Sequence, residues 1–148
     1  MNPAVAQFQS DVLGDGRIDN IIISSTVHVV TGIVVLLTMT AATGLTLRHA
    51  GRNEAIGSPA KVSIGAAAIA LACQVLIGIK LLDQGQGIVQ LYIHYVGGLI
   101  PMGAFLAAGW FARGDSGRSS RALAALMIVG YASALMAFFI GRAYATGA

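Results

Sequence analysis

Four apolar runs, at 21–47, 62–82, 88–111 and 122–141, take up most of this 148-residue sequence. Each is long enough to cross a hydrocarbon core of about 30 Å, which takes roughly 20 helical residues. Backbone groups in lipid must satisfy one another, so each run is expected to be an α-helix. The expected architecture is all-α: an integral membrane four-helix up-down bundle. It forms one domain, 1–148, with short loops and no room for a separate catalytic domain. A chain that is 56% hydrophobic and 10% charged is too apolar for a soluble domain of this size.

Residues 1–20 are polar and carry Asp11, Asp15 and Asp19 ahead of any long apolar run, with no basic leader region. They are expected to be a surface segment and not a signal peptide. Asp19-Asn20 are the expected caps of the first helix, which should end near Arg48-His49. Ser58-Pro59 fits a cap followed by a proline in the first turn of the second helix. That helix should leave through Lys80, Asp83 and the flexible Gln84-Gly85-Gln86-Gly87.

The net charge of +3 does not point to nucleic acid, because Lys and Arg flank the apolar runs and form no footprint on one face. Six of the nine lie in the 1–2 and 3–4 loops (Arg48, Arg52, Lys61; Arg113, Arg118, Arg121) and three on the other side (Arg17, Lys80, Arg142). That bias places both loops in the cytoplasm of a bacterial inner membrane and both termini outside. Trp110 at one end, and Tyr92, Tyr95 and Tyr144 at the other, fit interfacial aromatic belts. Cys73, the single cysteine, cannot form an intrachain disulfide and reads as a small buried hydrophobe. His49, among loop basics, reads as a solvated residue, and Met39 and Met102 as core.

One short pattern occurs twice inside these runs. His28-Val29-Val30-Thr31-Gly32 lies in the first and His94-Tyr95-Val96-Gly97-Gly98 in the third, 94 − 28 = 66 residues apart. The partner helices end alike, with Gly78 before Lys80 and Gly141 before Arg142. The chain therefore reads as a duplicated helical hairpin. Histidine in hydrocarbon is costly and reads as functional by default. The first and third helices of an up-down bundle run parallel on a diagonal. Both histidines lie six or seven residues inside the expected helix ends, about 10 Å deep. Two level imidazoles facing across a bundle axis are placed to ligate a planar macrocycle from both sides.

The neighbouring residues each have two readings. Gly32, Gly97 and Gly98 make room for such a ring, or they let helices approach closely. Lys80 and Arg142 would pair with haem propionates, or their long side chains snorkel to the interface. Pro101 should kink the third helix, shaping a pocket or relieving packing. No acid lies within a span, which disfavours a solute transporter. Two histidines fall short of the three or four ligands of a zinc site.

At His28, His94 and their glycines the chain resembles the membrane b-type cytochromes. In plan it is nearest to one four-helix half of the haem A synthases, where two helices of a bundle each supply a haem histidine. It departs from them in having one bundle and no catalytic glutamates, so haem A synthesis is not implied. What the resemblance implies is one haem b with His28 and His94 as axial ligands. The protein would then be an electron-transfer subunit, rather than a catalyst, of a respiratory or photosynthetic complex, working with other membrane subunits or a quinone. The alternative is a cofactor-free accessory or assembly subunit whose histidines bond helix to helix.

Overall fold

The computed structural model describes residues 21–86, 92–111 and 117–146. The expected Asp19-Asn20 cap, Gly87 and Arg113 lie outside the described residues, as do the side chains of Trp110 and Arg118. The described residues form four helices: α1 (Ser25–Gly51), α2 (Ser58–Asp83), α3 (Tyr92–Phe111) and α4 (Gly117–Thr146). All four are long and apolar enough to span a membrane. They pack as an up-down bundle in which α1 meets α2, α3 meets α4 and α1 meets α4 closely, while α2 and α3 touch sparsely.

The helix ends differ from the sequence expectation for local reasons. Residues 21–24 are not helical, and α1 starts after Ser24. Gln84 holds this stretch extended: Ile23 N–H donates to Gln84 Oε1 at 2.6 Å, and Gln84 Nε2 donates to Ile23 O at 2.8 Å. Far from being a flexible exit, residues 84–86 form a Schellman closure of α2. Gly85 adopts φ 73°, its N–H donates to Leu82 O, and Gln86 N–H donates to Leu81 O.

At its far end α1 runs on to Gly51 and closes the same way. Asn53 takes the left-handed position (φ 56°), with Asn53 N–H on Ala50 O and Glu54 N–H on His49 O. His49 is not a solvated loop residue. It is half-buried, lies 3.7 Å from Glu54, and its Nε2 accepts from Gly57 N–H at 3.4 Å. Gly57, one residue before the expected position, is the N-cap of α2, with Pro59 in the first turn as the sequence implied.

The core is built from Val35, Met39, Ala42, Ile64, Ala67, Leu71, Phe105, Ala108, Leu123 and Met127, with Met102 against it. Small residues set the closest approaches: a Cβ on Gly130 would meet Ala104 Cβ at 3.3 Å and Pro101 Cα at 3.6 Å. Large side chains such as Val30, Leu37, Val62, Ile69, Leu106 and Phe139 point outward, an apolar surface that only lipid or another apolar partner would tolerate. Cys73 is on that outer surface and not buried. The reason is that lipid is as apolar as the core, so an apolar residue has no preferred side.

Burial bears the mark of the repeat. With a shift of 66, buried Val35, Met39 and Ala42 of α1 fall on buried Pro101, Phe105 and Ala108 of α3. With a shift of 141 − 78 = 63, Ala60, Ile64, Ala67 and Leu71 of α2 fall on Leu123, Met127, Gly130 and Ala134 of α4, all buried. The close α1–α4 seam and the sparse α2–α3 seam break this symmetry.

Candidate functional site

The two histidines meet. Their ring centroids are 6.2 Å apart with the planes at 66°, across the α1–α3 diagonal. Because α1 begins at Ser25, His28 lies one turn inside its helix, shallower than the two turns expected from sequence. The rings border a cavity of about 800 Å³ lined from all four helices, by Gly32 and Leu36, Gln74 and Gly78, Gly98 and Leu99, and Phe138 and Gly141.

Each ring lies on a glycine of its own hairpin. A Cβ on Gly78 would stand 3.3 Å from His28 Cε1, and one on Gly141 would stand 2.9 Å from His94 Cε1 and 3.0 Å from its Nδ1. These glycines are therefore ring seats, one per hairpin, at equivalent positions in the repeat.

The hydrogen bonds determine the tautomers. His94 Nδ1 is 2.7 Å from Ala137 O, an acceptor, so Nδ1 carries the proton and Nε2 keeps its lone pair. At His28 the amide of Gln74 decides. Gln74 Nε2 lies 3.0 Å from His28 O, and the reversed amide would set two acceptors face to face. The Thr31 hydroxyl accordingly donates to Gln74 Oε1. The other N–H of Gln74 points at His28 Nε2, 3.3 Å away, so that nitrogen is the acceptor. The proton of His28 then sits on Nδ1, which is buried and has no hydrogen-bond partner among the described residues. Both imidazoles carry the Nε2 lone pair that metal ligation uses.

The remaining sequence candidates separate. Gly98 borders the cavity, and nothing lies within 4 Å of where its Cβ would be. Gly32 also borders it, but a Cβ there would meet Phe138 at 3.2 Å and Gln74 at 3.3 Å, so it serves both space and packing. Gly97 faces α4, where a Cβ would meet Met136 Cε at 3.1 Å; its role is helix approach. Arg142 lines the cavity beside Tyr144. Lys80 is held by Asp83 at 2.5 Å, and both side chains are largely buried, so the acid read as an exit residue is sheltered at the helix end.

Gln74 and Phe138 were not singled out from sequence. A lone amide between Cys73 and Val75 inside an apolar helix was the available signal. Among the described residues no group of three or more His, Cys, Asp or Glu comes together. No protein-family model, curated protein or solved structure matches the chain.

Proposed function

We propose that His28 and His94 are the axial ligands of one haem b, and that the protein is an electron-transfer subunit of a membrane redox complex. The observation that carries this is the pair of imidazoles converging from opposite hairpins on one apolar cavity. A metal–imidazole bond is about 2 Å long, so two rings sharing one metal have centroids roughly 6 Å apart. The 6.2 Å between His28 and His94 matches that separation, with Nε2 of His28 turned to the Gln74 amide in this structure. The cavity of about 800 Å³ falls in the range, about 300–1,000 Å³, that holds compact organic ligands.

A haem bound there supplies one-electron chemistry, and two imidazoles would leave its iron no open position. The protein's own part is to hold and insulate. Gly78 and Gly141 admit the rings, and Ala137 O fixes the tautomer of His94. Leu36, Leu99 and Phe138 keep the surroundings apolar. Arg142, on the cavity wall, is the cation we assign to a propionate. Lys80, engaged by Asp83, is its counterpart at the end of α2. We place the protein in a bacterial inner membrane with both termini outside, where a partner subunit or a quinone exchanges electrons with it.

The second reading, a cofactor-free accessory subunit, draws on the bonds His28 makes to Gln74 and His94 to Ala137, which join helix to helix without any cofactor. A reduced-minus-oxidised spectrum of the purified full chain, expressed with ample haem, separates the two. The haem reading expects a low-spin b-type spectrum at about one haem per chain, lost or turned high-spin in His28→Ala and in His94→Ala. A folded, helical and colourless wild type would falsify it.

A further inference from the structure

The two histidines are held by unlike means. Ala137 and Gln74 occupy equivalent places in the repeat, four residues before the ring seats Gly141 and Gly78. Ala137 meets its histidine through a backbone carbonyl, which binds the proton on Nδ1 and leaves Nε2 for a metal. Such a backing bond orients a ligand and raises its basicity. Gln74 meets its histidine through an amide N–H aimed at Nε2 itself, the atom a metal would need, and Nδ1 of that ring has no acceptor behind it among the described residues. Coordination through His94 keeps the Ala137 bond. Coordination through His28 takes away the acceptor of a Gln74 N–H in a largely apolar cavity, where an unmade hydrogen bond is costly.

We propose that Gln74 is a positioning residue that makes His28 the exchangeable ligand and His94 the fixed one. This rests on the haem reading above. With a haem bound, an added small ligand would displace Nε2 of His28, and the freed imidazole would be held by the Gln74 amide. Thr31 belongs to the device because its hydroxyl orients that amide.

The test is stopped-flow binding of carbon monoxide to the haem-loaded, dithionite-reduced full chain in detergent. Wild type should take up CO at a rate that saturates with CO concentration, limited by departure of a histidine. Gln74→Leu, which removes the competing donor, should lower that limiting rate about five-fold, the equivalent of one ordinary hydrogen bond. Thr31→Val should shift it in the same direction. His28→Ala should bind CO without the slow step.

Equal limiting rates in wild type and Gln74→Leu would overturn the proposal. So would failure of the wild type to bind CO. A chain with no haem spectrum before CO is added overturns the haem reading and this inference together, and is recognised at that first step. If Gln74→Leu does not fold, as judged by its helical circular dichroism, Thr31→Val still decides, and an unchanged limiting rate there overturns the proposal.

Discussion

His94 lies on Gly141 so closely that a Cβ there would come within 2.9 Å of its Cε1, while a Cβ on Gly78 would stand 3.3 Å from Cε1 of His28. The two seats therefore differ in tolerance. Gly141→Ala should displace the His94 ring and cost about 1–3 kcal/mol of stability, as overpacking typically does. Gly78→Ala should cost less, and Gly98→Ala, with nothing near its Cβ, should be close to neutral. Thermal unfolding in detergent gives the ranking. A Gly98→Ala variant as unstable as Gly141→Ala would refute this ranking.

The Lys80–Asp83 pair should matter more than an ordinary helix-surface pair. An exposed pair at this spacing contributes about 0.2–0.5 kcal/mol. Here the side chains are only 11% and 5% exposed, so removing one partner takes a close counter-charge from a sheltered ion. Asp83→Ala should cost roughly 3 kcal/mol, and the double variant Lys80→Met, Asp83→Leu should recover most of it. A double-mutant cycle by denaturation measures this, and a coupling below about 0.5 kcal/mol would place the pair among surface pairs.

Gln84 is the clasp between the start of α1 and the end of α2. Gln84→Ala removes two hydrogen bonds to Ile23 and should cost about 1–3 kcal/mol. Hydrogen exchange should show the Ile23 amide losing protection while the middle of α1 keeps its own. Uniform loss along the helix would mean that the clasp supports the whole hairpin.

Cys73 should behave as a lipid-facing thiol. Maleimide reacts with the thiolate, which an apolar surrounding suppresses. In intact membranes Cys73 should stay unlabelled, and after denaturation in SDS it should label fully. Rapid labelling in membranes would put the outer face of α2 at Cys73 in contact with water.

The architecture was legible because spanning length and backbone self-satisfaction leave a chain of this kind few choices. The histidine pair was legible because imidazoles are rare in apolar helices. Other features were hidden for physical reasons. The start of α1 depends on Gln84, 61 residues further along the chain than Ile23, and no local cap signal reports such a clasp. Cys73 was placed inside because core and lipid are equally apolar, so hydropathy does not separate the two faces. Ala and Gly at 42, 67, 108 and 130 mark the inner side better than Leu or Val do, since only closely packed helices need them. Gln74 was missed because its meaning lies in the acceptor it faces.

The unequal seams give the bundle the layout of a book. α1 and α4 form the spine, and α2 and α3 are the free edges of two covers. Each cover carries one imidazole, 66 residues from the other along the chain. An atom held by both rings would therefore tie one hairpin to the other independently of the α1–α4 seam.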